Sequence, residues 1–114
     1  MAFEITITED AESQLHTLPV REQRMLEAAI VARLRDQPTG ITKAIKRLRP
    51  NPLAEFELRV GDLRVLYNVE EREVILLVVG RKVGNRLIVG SEEFHGHKDD
   101  PSQSAGSGPA KDAD

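Results

Sequence analysis

The sequence has no cysteine and no tryptophan, only four per cent aromatic residues, and no apolar run near the ~18 residues of a membrane-spanning helix. Without cysteine, neither disulfides nor a thiolate metal site can hold the fold, and the redox compartment leaves no trace. No basic start followed by an apolar stretch opens the chain, so a soluble cytoplasmic protein with no membrane contact is expected. A Gly-rich phosphate loop, a zinc-ligand set and a nucleophile elbow are also missing, so neither metal nor nucleotide cofactor is expected.

What remains is a 114-residue chain, 39% hydrophobic, enough for one modest core. Its net charge of −3 argues against a generic nucleic-acid binder, but the charge is unevenly placed. Residues 1–40 carry four Arg against seven acids, and residues 87–114 carry two Lys against six. Between them, residues 41–86 carry ten Lys or Arg against six acids. A basic segment inside an acidic frame is the footprint a phosphate backbone would select, although a solvated surface produces it too.

Within that segment, residues 55–94 read as three successive β-hairpins. Val60-Gly61-Asp62-Leu63 fits a two-residue type II′ turn with Gly at its first central position. It sets Phe56 opposite Tyr67, Glu57 opposite Leu66, Leu58 opposite Val65 and Arg59 opposite Arg64. Alternation then gives an apolar face of Phe56, Leu58, Val60, Leu63, Val65 and Tyr67, with Glu55, Glu57, Arg59, Arg64, Leu66 and Asn68 on the other. A second turn at Glu71-Arg72 sets Val69 opposite Val74, Tyr67 opposite Leu76, Val65 opposite Val78 and Arg64 opposite Val79. The strand it begins, residues 74–79, is apolar on both faces. Gly84-Asn85 makes the third turn and pairs Val83 with Arg86. Counted through, Arg81, Val83, Arg86 and Ile88 join Arg59 and Arg64 on one face, with Leu66, Ile75, Leu77 and Val79, while Lys82 falls on the other. Like charges opposite one another destabilise a sheet, so a face that collects four arginines is expected to serve an anion.

Upstream, residues 3–8 alternate as a strand. Glu9 or Asp10 caps a short helix with an acidic first turn, and Pro19 separates it from a second helix that Pro38 and Gly40 close. Leu15, Leu18, Val20, Met25, Leu26, Ala29, Ile30 and Leu34 form the apolar stripe of this helical hairpin, which covers one face of the sheet. Residues 41–53 are basic and proline-punctuated, and fit either a short helix or an edge strand at 45–48. The Pro50-Asn51-Pro52 loop presents Lys46, Arg47 and Arg49 beside the sheet. One domain over 1–94 and a disordered acidic, polar tail over 95–114 are expected. His95 and His97 beside that tail, and His16 on the first helix, read as solvated residues.

The LRVGDLRVLY hairpin, the acidic turn, the apolar strand ending in VVGRKVGNR and the preceding helical hairpin resemble, over residues 3–94, the RelE/ParE superfamily of toxins from type II toxin–antitoxin systems. The resemblance implies an α+β fold: an N-terminal strand and helical hairpin packed on a mostly antiparallel, twisted sheet of four to five strands. It implies a cognate antitoxin that wraps and neutralises the chain, with operator DNA reached only through their complex. RelE-type members cut mRNA on the ribosome, and ParE-type members inhibit DNA gyrase.

The same resemblance puts Arg59 and Arg64 on the scissile phosphate and the Arg81-Lys82 pair at the site. On chemical grounds Arg81 is a further candidate cation for that phosphate, and Lys46, Arg47, Arg49, Lys82 and Arg86, from their places in the basic segment, are candidates to bind substrate. Two positions depart from the best-studied type, which has lysines where Glu55 and Glu57 stand and a tyrosine near Arg86-Leu87-Ile88. Metal-independent cleavage through the RNA 2′-hydroxyl needs a base, and Glu57 is the candidate. Glu55 and Glu57 equally fit a surface ion-pair network that neutralises the arginines. A RelE-like endoribonuclease is the leading expectation, with a gyrase inhibitor and a non-catalytic antitoxin-binding module as alternatives.

Overall fold

The computed structural model describes residues 2–90 and the backbone of residues 92–95. The elements run β1 (Glu4–Ile7), α1 (Glu9–His16), α2 (Val20–Leu34), β2 (Ile45–Arg47), β3 (Phe56–Val60), β4 (Leu63–Glu70), β5 (Glu73–Val83), β6 (Arg86–Val89) and β7 (Glu92–His95). Among the described residues these strands make one α+β sheet in the order β2-β3-β4-β5-β6-β7, antiparallel throughout, with β1 added parallel to β5. Seven strands exceed the four or five expected, because residues 45–47 settle as an edge strand and β7 extends the far side. The disordered-tail expectation and His97 lie outside the described residues.

Gly61 adopts φ +61 and closes the β3–β4 hairpin in the register read from the sequence, from Phe56↔Tyr67 to Val60↔Leu63. The next turn holds Glu71 at φ 53, a left-handed conformation costly for a side chain other than Gly or Asn. Pairing then runs as expected through Val69↔Val74 and Tyr67↔Leu76. At that point the ladder breaks. Leu66 pairs with Val78, Val65 with Val79 and Arg64 with Gly80, so Leu77 is an extra residue on β5. A bulge of this kind puts two successive residues on one side and shifts everything beyond it by one.

The helices pack together on one face of the sheet. Thr8, rather than Glu9 or Asp10, caps α1, its hydroxyl accepting from the Ala11 amide at 3.2 Å. A short hydroxyl just outside the first turn reaches that amide, while the acids inside the turn act on the dipole. Ala11, Leu15, Leu26, Ile30 and Leu34 bury against Phe56, Leu58, Leu63, Val65, Tyr67, Val74, Leu76 and Val79. Val20 and Met25 fall outside the core, 61% and 42% exposed, since α2 starts one residue after Pro19 and turns both outward. Tyr67 is fully buried, and its hydroxyl donates to the Pro38 carbonyl at 2.5 Å. Burial pushes its phenol pKa well above the ordinary tyrosine range. No helix among the described residues is long and apolar enough to cross a membrane.

Candidate functional site

The bulge decides which cations share a face. Partners across a ladder point to the same side, so Arg59, Arg64 and Gly80 lie in one row on the helix-free face. Lys82 follows Gly80 by two and joins that face, as does its partner Leu87. Arg81 pairs instead with Leu63, a core residue, and therefore sits on the helix-covered side with its partner Ile88 and, two along, Arg86. The expected face of four arginines with Lys82 excluded is thus corrected. Beyond Leu77 the assignments exchange, because a strand apolar on both sides conceals an extra residue. Val79 moves in the same way and is core.

Arg81 is held by acids. Its Nη2 donates to Glu22 on α2, and its Nη1 contacts Asp62 Oδ1 and Oδ2 at 3.1 and 3.2 Å. The bond to Glu22, then that to Asp62, raises its pKa above the usual arginine value. It ties the β3–β4 turn and β5 to the helix, and Lys82 strengthens the same corner by donating its amide to the Asp62 carbonyl at 2.7 Å.

On the helix-free face the central group is Glu57. Its Oε1 accepts from Arg59 Nε at 3.1 Å, and its Oε2 lies 3.8 Å from Arg64 Nε. Directly opposite on the edge strand is Lys46. The Glu57 and Arg64 side chains are each only 12% exposed, against 39% for Arg59. Arg64 Nη1 donates to the carbonyls of Gly61 and Leu63, both at 2.8 Å, while its buried Nε makes no hydrogen bond among the described residues. Gly80 is required beside it, since a Cβ there would meet the Ile88 carbonyl oxygen at 2.6 Å. Half-buried Ile75, Val78 and Leu87, with buried Leu66, are apolar residues of this face.

The remaining candidates scatter. Arg47 lies on the other side of its strand, over the Phe56 ring at 5.4 Å. Arg49 lies past the strand, where Asn51 organises the loop through bonds to the Arg49 and Ala54 carbonyls and the Leu53 and Ala54 amides. The sequence reading missed Glu22 and Asp62 as the partners of Arg81. An acid in the turn, next to Leu63, is the signal for Asp62, but nothing in the sequence aligns Glu22 with it.

No protein-family profile and no curated protein matches the chain. Among solved structures, a chain from the toxin–antitoxin complex RelBE2 of Mycobacterium tuberculosis superposes with a TM-score of 0.63 at 25% sequence identity. The likeness covers 72% of this chain and 100% of that one. The chain has a RelE-like toxin fold. In this RelE-like frame the helix-free face carries Lys46, Glu57, Arg59, Arg64 and Lys82, and the helix-covered side carries Arg81.

Proposed function

We propose that this chain is the toxin of a type II toxin–antitoxin system, a RelE-like, ribosome-dependent mRNA endonuclease neutralised by a cognate antitoxin. The observation that carries the reading is the pair Arg59 and Arg64 on one carboxylate, with Lys46 opposite that carboxylate on the edge strand and Lys82 farther along the same helix-free face. Guanidinium groups offer paired donors to phosphate oxygens and stabilise the charge of a pentavalent phosphate. Glu57 takes the proton of the RNA 2′-hydroxyl, the 2′-oxygen attacks phosphorus, and the bond to the 5′-oxygen breaks. The departing oxygen is protonated by water. Arg81 leaves the substrate-contacting set and becomes a positioning residue for the β3–β4 turn. The ribosome and mRNA would place the chain in the cytoplasm, and operator DNA would be reached through the antitoxin complex.

Incubating the chain with purified ribosomes and mRNA tests this. The wild type should cut, and Arg64→Ala should slow cutting by about 10²–10³-fold. Intact mRNA with the wild-type chain would sink the endonuclease reading. One observation favours a second reading: Glu57 already pairs with both arginines. That suits a non-hydrolytic inhibitor of the ParE kind, which a DNA-gyrase supercoiling assay would reveal, or a module that only binds antitoxin.

A further inference from the structure

Glu57 has the position of a ligand. One carboxylate oxygen is hydrogen-bonded to Arg59, and the other approaches Arg64 only to 3.8 Å, outside hydrogen-bond distance. Arg64 cannot swing to meet it, because two backbone carbonyls hold its Nη1. The consequence is a buried Nε aimed at an anion and left without a hydrogen bond within the described residues. A guanidinium fixed in this way is open to a mobile phosphate, whose oxygens it can bind, where the strand-bound carboxylate stops short.

We infer that Glu57 is an internal anion that a substrate phosphate must displace, so that the site selects a strand carrying several phosphates over free phosphate or a mononucleotide. This rests on the reading of the face as a phosphate-contacting surface. A lone phosphate gains Arg59 and Arg64 only by taking the place of a carboxylate already there and then lying beside its charge. A strand gains more. Lys46 and Lys82 stand at opposite corners of the face, three strands and two alternating positions apart, with Cα atoms about 20 Å from each other by ordinary strand spacing and rise. They are too far apart to grip one phosphate together, and each reaches a neighbouring one. Those outer contacts offset the displacement of Glu57, and nothing does so for a mononucleotide.

Glu57→Gln keeps the size and the oxygen acceptor while removing the charge, and separates this role from one of merely ordering the arginines. Calorimetric titration of the full chain with inorganic phosphate, and with a short all-2′-deoxy strand that cannot react, provides the readout. Expected is at least a tenfold gain in phosphate affinity for Glu57→Gln. For the strand, the slope of log affinity against log salt should steepen by about 0.7, one further phosphate neutralised. The wild type should prefer the strand to phosphate by a larger factor than the variant does. An unchanged or weakened phosphate affinity in Glu57→Gln, or a wild type that binds phosphate as well as the strand, would overturn the inference. If Glu57→Gln does not fold, Glu57→Ser serves in the same titration. The two readings fail separately. A wild type that cuts mRNA while the variant's phosphate affinity stays flat sinks only the internal anion, whereas a tightened phosphate site on a chain that cuts nothing sinks only the endonuclease.

Discussion

The two faces of the sheet treat arginine in opposite ways. On the helix-covered side, Arg81 is matched by two acids from different elements, Glu22 on α2 and Asp62 in the β3–β4 turn. On the helix-free side, Arg59 and Arg64 share Glu57, with Lys46 and Lys82 adding charge that this carboxylate cannot balance. The first arrangement neutralises a cation at the rim of a core, and the second keeps a surplus. An arginine two residues from Val79 and another opposite Gly80 thus have different work, although their side chains are chemically identical.

The contrast can be broken most strongly through adjacent residues that point to opposite faces. Leu58 is fully buried on the helix side, and Leu58→Ala should cost about 2–5 kcal/mol in denaturant unfolding. Its neighbour Glu57 should lose less on substitution by Gln, which keeps the size and an oxygen acceptor for Arg59. Comparable losses at the two positions would mean that the faces are not divided as described.

A second probe is the phenol of Tyr67, on the same side as Leu58. Tyr67→Phe removes its bond to the Pro38 carbonyl and should cost about 0.5–1.5 kcal/mol. Burial raises the folded-state pKa above the unfolded value near 10. The associated stability is therefore intact below about pH 10 and declines as pH climbs towards the folded value. The chain has one tyrosine and no tryptophan, so the rise in near-ultraviolet absorbance on phenol ionisation reports that residue alone. A phenolate that appears near pH 10 while the chain stays folded would contradict its burial.

The smallest expected effect compares the consecutive cations themselves. Arg81→Gln should lower stability by no more than about 1 kcal/mol, its ion pairs being partly solvent-exposed. Lys82→Ala should leave stability nearly unchanged yet weaken oligonucleotide binding more than Arg81→Gln does. The reverse order of binding effects would restore Arg81 to the substrate face.

How far the sequence reached is visible along one strand pair after another. The β3–β4 register was legible to the residue, because alternation is clean there and Gly61 marks its turn. The β4–β5 register was legible only as far as Leu76. Residues 74–79 are apolar whichever way they point, so no polar residue betrays the extra Leu77, and Arg81, Lys82 and Arg86 were carried to the wrong sides. Tyr67 was placed in the core correctly by the alternation before the bulge. The Glu57 pairing with Arg59 and Arg64 was anticipated as an ion-pair network, but the hold of Gly61 and Leu63 on Arg64 comes from a turn geometry that sequence spacing does not encode.

The parallel seam between β1 and β5 has a consequence in time. Every other neighbouring pair of strands in the described sheet joins consecutive segments, whereas Glu4 meets Glu73, 69 positions later. Closing so long a loop is entropically costlier than closing a hairpin, and non-local pairings form slowly. During synthesis the first strand to be made must wait for the fifth, with Ile5 and Ile7 uncovered in the interval. Nascent chains halted before residue 73 should therefore leave residues 4–7 open to protease, and chains halted well beyond β5 should protect them. The first of the described strands thus finds its place only once the fifth has been made.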